Sequence, residues 1–245
     1  MIEPTARRSS WRAEFLAHPR HGPLPLLLCG LTVVTGVVDA VSILSLGRVF
    51  VGNMTGNVVF IGFAVAGAPG FSLAASMVAL VGFLVGAGVG GLGIARQGMS
   101  RARLLVLGCT GETLLLAAAV IVLAVGSPPY PMTVRDIAVA ATAVALGLQN
   151  AVVRSLAVPD FTTTVLTMTL TGLAADLRRR DHQAIVRRAV AVAAMLGGAV
   201  AGAALVLHGH AVVALALAAA VIVAVGAVAA ILARRPAGWN SPARP

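Results

Sequence analysis

The chain has 245 residues, of which 59% are apolar, 11% charged and 4% aromatic, and it carries a net charge of +10. Soluble domains are nearer half apolar and a quarter charged, which excludes a soluble globular protein. Every basic residue is arginine, and so few aromatics leave no stacking surface for a nucleic acid.

A basic tail with Arg7, Arg8, Arg12 and Arg20 fills residues 1–22. Its charge and the apolar run behind it resemble a signal peptide. That run is too long and lacks a cleavage site, so it reads as the first span. Eight apolar stretches follow, at about 24–46, 49–67, 72–95, 104–126, 134–156, 158–177, 189–207 and 211–233. Most approach the ~20 residues that cross ~30 Å of hydrocarbon as a helix. A short tail, 236–245, ends the chain, so residues 23–235 form one all-α membrane domain.

Arginines mark the ends of these runs. Clusters stand at Arg7–Arg20, at Arg96, Arg101 and Arg103, at Arg178–Arg180 with Arg187 and Arg188, and at Arg234 and Arg235. Eight crossings would put the second cluster outside, against the tendency of arginine to stay in the cytoplasm. If 49–67 and 158–177 instead enter and return on one side, six full spans remain. All clusters and both termini are then cytoplasmic, with Arg48 and Arg135 outside. Each re-entrant segment could be two legs of ~10 residues reaching about the midplane.

The halves resemble each other, at about 24–126 and 134–233. "GVVDAV" (36–41) matches "GLQNAV" (147–152) at an offset of 111, which places Asp39 on Asn150 and Phe50 on Phe161. Further on, an offset of 116 aligns Thr55-Gly56 with Thr171-Gly172, Gly82 with Gly198 and Gly86 with Gly202. Three crossings per half would invert the second copy, a 3+3 inverted repeat typical of secondary transporters. Eight full spans would give a parallel repeat instead. Gly82, Gly86 and Gly90, and again Gly198 and Gly202, are spaced by four, which puts them on one helix face for close packing. That packing is within the chain, or alternatively across a homodimer. Gly56 and Gly172 sit in the two odd segments as turn or packing residues.

Charged groups inside a span cost roughly 2.5–3.5 kcal/mol each, so they need a reason. Asp39 lies ~21 Å along the first span, and Glu112 lies ~14 Å beyond Arg103, near mid-bilayer. A coupled transport site needs such a carboxylate. Asn53, Thr55, Asn57, Gln149, Asn150, Thr164, Thr167 and Thr171 would complete its shell. The alternatives are structural: Asp39 as an anchor for the first re-entrant turn, Glu112 as a protonated bundle contact, the threonines bonded to their own helices. Asp160 is placed to cap the helix after Pro159, and Asp176 to pair with Arg178–Arg180.

Cys29 and Cys109 each sit alone in an apolar run and read as small core residues. The histidines lack metal-site spacing, apart from the weak His208-Gly-His210 pair, and no nucleotide or nucleophile motif occurs in a usable context. We therefore expect no metal, no cofactor and no enzymatic activity.

The motifs "GVVDAVSILSLGRVFVGNMTGN" (36–57) and "GLQNAVVRSLAVPDFTTTVLTMTLTG" (147–172) resemble those of the YoaK family, bacterial inner-membrane proteins built on a domain of unknown function. That resemblance implies a polytopic inner-membrane protein of about six spans and no defined substrate. The expected function is transport of a small solute or ion, with the lipid bilayer as the other partner. The rival is a membrane scaffold or assembly protein whose polar motifs only lock helices together.

Overall fold

The computed structural model describes residues 20–95, 99–159, 166–179, 181–234 and 238–241. Among these the regular elements are helices: α1 (Leu24–Ser45), α2 (Met54–Val65), α3 (Leu73–Ala95), α4 (Arg101–Val125), α5 (Met132–Leu156), α6 (Leu166–Arg179), α7 (His182–Leu207) and α8 (Ala211–Ala233), with a 3-10 turn at Gly238–Asn240. Six of them, α1, α3, α4, α5, α7 and α8, are long and apolar enough to cross a membrane. A helix satisfies its own backbone in hydrocarbon, which is why these Ala-, Leu- and Val-rich runs adopt it. The first turns of α3, α4 and α7 are closed by side chains. Ser72 Oγ accepts from Ala75 N at 3.2 Å, Ser100 Oγ from Arg103 N at 3.3 Å and Asp181 Oδ1 from Ala184 N at 3.1 Å. At its far end α5 stops on Ala157, which turns left-handed at φ 48°, just ahead of Pro159.

Helix ends that meet bear on the number of crossings. At one end of the bundle His21 Nδ1 lies 3.3 Å from the Arg101 guanidinium, which also donates to the Leu156 carbonyl. Ala102 N donates to Asn240 Oδ1 at 3.1 Å, and Arg20, Val158 and Arg187 line one small cavity. The starts of α1, α4 and α7 therefore share this end with the finishes of α5 and α8. At the other end Leu46, Ser72 and Met132 line a common cavity, joining the finish of α1 to the starts of α3 and α5. Between residues 46 and 72 the chain thus leaves and returns at the same end. Six crossings fit; eight would separate the start of α4 from the start of α1. α2, with 12 residues, is only ~18 Å long and does not cross.

The first odd segment is not the two equal helical legs expected over 49–67. It is an irregular strip, residues 46–53, followed by the single helix α2. Of the second, only α6 lies among the described residues. α7 begins at His182 rather than near 189, because the polar turns carrying Arg187 and Arg188 continue the helix beyond its apolar part.

Most helix pairs recur when the halves are exchanged, although the contact of α7 with α8 has no match of similar extent between α3 and α4. α1 packs on α7 as α5 packs on α3, α4 on α5 as α8 on α1, and α2 on α3 as α6 on α7. Close approach uses glycine in both halves. A β-carbon at Gly86 would overlap the Val144 carbonyl oxygen, and one at Gly198 the Val33 carbonyl oxygen. Val33 and Val144 are 111 apart, whereas Gly86 and Gly198 are 112 apart, as are Gly90 and Gly202, which sit over Leu148 and Val37. The expected offset of 116, matching Gly82 to Gly198 and Gly86 to Gly202, is therefore corrected by one helical turn. A glycine ladder of period four matches itself after a four-residue slip, and only the backbone contacts select the register. All five ladder glycines are buried within the chain.

Candidate functional site

α1 is broken after Ser45 by Gly47 at φ 109° and Arg48 at φ 58°. The chain then runs back along the bundle with Val49, Val51 and Gly52 buried. Irregular backbone at membrane depth needs partners for every N–H and C=O, and none comes from a neighbouring strand here. Side chains supply them. Asp39 Oδ1 accepts from Val51 N at 3.0 Å and Gly52 N at 2.9 Å. Asn57 Oδ1 accepts from Phe50 N at 2.9 Å while its Nδ2 donates to Phe50 O at 2.5 Å. Ser42 Oγ donates to Val49 O at 2.7 Å.

Packing holds the same strip. A β-carbon on Gly52 would press within 3.1–3.3 Å of Leu146, Thr35 and Asp39, and one on Gly56 would reach the Phe50 ring at 2.5 Å. Phe50 in turn stacks on Phe60 with ring centroids 5.7 Å apart. Asp39 and Asn57 thus serve the strip, the anchoring role foreseen for Asp39.

A second polar group lies between the spans. Gln149 Nε2 donates to Thr35 Oγ1 at 2.9 Å, and Thr35 Oγ1 donates to Leu31 O at 3.0 Å. The Gln149 Oε1 atom is buried without a hydrogen-bond partner, and so is Glu112 Oε1, whose side chain is 1% exposed. Gly108 lies against Val152 and Gly111 against Leu148. This antiparallel register of α4 on α5 puts Glu112 and Gln149 at nearly the same depth, within about one helical turn. A buried carboxyl with an unused oxygen is costly and calls for a proton or a cation.

The remaining expected residues are not gathered here. Asn53 and Thr55 are exposed on the strip and α2, and Thr167 and Thr171 are exposed on α6. Thr171 Oγ1 donates to Thr167 O at 2.9 Å, the bond of a hydroxyl to its own helix. Asn150 is half-buried beside Gln149, while Thr164 and Asp160 lie outside the described residues. Asp176 pairs with Arg188 Nε at 2.9 Å, where the first turns of α7 pack against α6, while the side chains of Arg179 and Arg180 lie outside the described residues. Gly172 packs beneath the Arg188 guanidinium. Thr35 and Ser42 went unnoticed in the sequence. Their signal was their spacing, four before and three after Asp39, on the same face of α1.

Six crossing-length helices around a buried polar centre make this a multi-pass membrane protein. The chain belongs to the family described as "Protein of unknown function (DUF1275)", whose model matches residues 27–228. It is similar to "UPF0700 transmembrane protein YoaK" of Bacillus subtilis (strain 168), with 31% identity over 154 residues, 63% of this chain and 67% of that one. No solved structure matches it.

Proposed function

We propose that this chain is an inverted duplication working as a small-solute or ion transporter of the bacterial inner membrane, with both termini cytoplasmic, and not an enzyme. The observation that carries this reading is the pair of unused buried oxygens, Glu112 Oε1 and Gln149 Oε1, where the two halves meet. Support for the duplication comes from the recurring helix pairs and the 111–112 offset of their contacts. In this reading Glu112 is the coupling group, and its charge is exchanged with a proton or cation during the cycle. Asp39, Asn53, Thr55, Asn57 and the α6 threonines lie outside this site. Arginines at Arg20, Arg101, Arg187 and Arg234 support a cytoplasmic position for that end of the bundle. Single cysteines at positions 48 and 101 should then react with a membrane-impermeant maleimide from opposite sides.

The test is uptake by proteoliposomes from a bacterial small-molecule extract, followed by mass spectrometry of the lumen. Solutes enriched over protein-free liposomes, and lost in a folded Glu112→Gln variant, are expected. No enrichment by the native chain would end the transport reading. A second reading, a non-transporting scaffold, is favoured by one observation: Asp39 and Asn57 spend their hydrogen bonds on the strip. It expects no solute enrichment from any variant.

A further inference from the structure

At the end of the bundle opposite His21 and Arg101, a cavity of about 430 Å³ opens between the break after α1 and the starts of α3 and α5. Arg48, Arg135, Asp136, Ser72, Phe71 and Met132 are on its wall. Neither arginine has a hydrogen bond or an ion pair among the described residues, and the Arg135 Nε atom is buried without a partner. Two guanidiniums left unpaired around one cavity call for an anion.

Three further features converge there. Arg48 occupies φ 58°, a left-handed conformation that strains a non-glycine residue and is tolerated where it aims a functional side chain. Gly70, at φ 84°, leaves room for that side chain, since a β-carbon on it would stand 3.0 Å from Arg48 Nη1. The first turns of α3 and α5 present their unbonded N–H groups to this end, and α5 has no side-chain cap over its own. Asp136 opposes a second negative charge. The net charge of the wall is therefore +1, which suits a singly charged phosphate better than a dianion.

We propose that Arg48 and Arg135 form a phosphate-binding site at this end of the bundle, taking the phosphate group of a lipid headgroup or of a small free phosphate. The site does not depend on the transport reading, because it is tested by binding alone. The full chain, purified in a non-ionic detergent without phosphate, would be assayed by equilibrium binding of radiolabelled inorganic phosphate and by displacement with dihexanoylphosphatidylglycerol. Saturable binding is expected, weakened at least tenfold by Arg48→Gly and by Arg135→Gln, and strengthened several-fold for inorganic phosphate by Asp136→Asn. Arg48→Gly relieves the backbone at φ 58°, so its loss of binding should come with an unchanged or raised thermal midpoint. The Asp136→Asn gain has a sign that misfolding would not produce. A lipid that binds tenfold or more tightly than inorganic phosphate identifies the headgroup as the source, and the reverse order identifies the free ion. Absence of saturable binding of both probes, or binding undiminished in both arginine variants, overturns the site.

Discussion

The strip beside α1 and the hairpin of α6 and α7 are held by different chemistry. In the first half Asp39, Ser42 and Asn57 bond buried backbone, and two of the three are polar groups wholly inside the bundle. In the second, an ion pair between Asp176 and Arg188 ties α6 to α7 near the surface, and Arg188 also donates to the Met168 carbonyl at 3.4 Å. Where the fastening is buried, each bond is worth more, because a broken one leaves an unsatisfied group with no water to replace it.

The largest effect should come from what the halves share. Gly86→Leu and Gly198→Leu each drive a side chain into a partner helix's carbonyl, and backbone cannot give way as a side-chain tip can. Both should exceed the ~1–3 kcal/mol usual for overpacking, measured as loss of monodisperse protein in detergent. Gly88→Leu and Gly197→Leu, facing open space on the same helices, should leave the yield near native. A tolerated Gly198→Leu beside an intolerant Gly86→Leu would break the equivalence of the two contacts.

Next come the buried fastenings. Asp39→Ala strands two N–H groups at about 1–3 kcal/mol each, whereas Asp39→Asn keeps an acceptor and should lose clearly less. Asn57→Ala removes both bonds to Phe50 and should cost about 1–3 kcal/mol. Thermal unfolding in detergent would rank them, with Asp39→Ala first. Equal midpoints for Asp39→Ala and the native chain would remove the anchoring role.

The spans were legible because a run of apolar residues long enough to cross is a strong pattern, and α8 begins and ends where its run does. Asp39 was legible as an acid without a lipid-tolerable reason to be there. Three things were hidden. Asn57 turns inward while Thr55, two residues and about 200° away around α2, turns outward, and a cluster read as letters does not carry that rotation. The extended path of 49–53 leaves no periodicity at all, since its hydrogen bonds go to side chains twelve and thirteen residues back. The glycine ladder repeats every turn, so its register was undetermined by matching. The pairing of Gln149 with Thr35, 114 residues apart, depends on how α5 crosses α1 and had no local mark.

The smallest effects belong to the second half's surface fastening, and they separate its two components. Asp176→Asn removes only the ion pair, whose side chains retain 11% and 21% exposure, so solvent can take over much of its work. Such a pair is worth about 0–1 kcal/mol and weakens in salt. Arg188→Ala loses the bond to Met168 O as well and should cost more than Asp176→Asn, with the difference persisting at high salt. Gly172→Ala would push on the Arg188 guanidinium, the free end of a flexible side chain, and should cost no more than removing the pair itself. If thermal midpoints instead place Asp176→Asn beside Asp39→Ala, the pair is effectively buried, and the two halves differ in the identity of their fastenings but not in their strength.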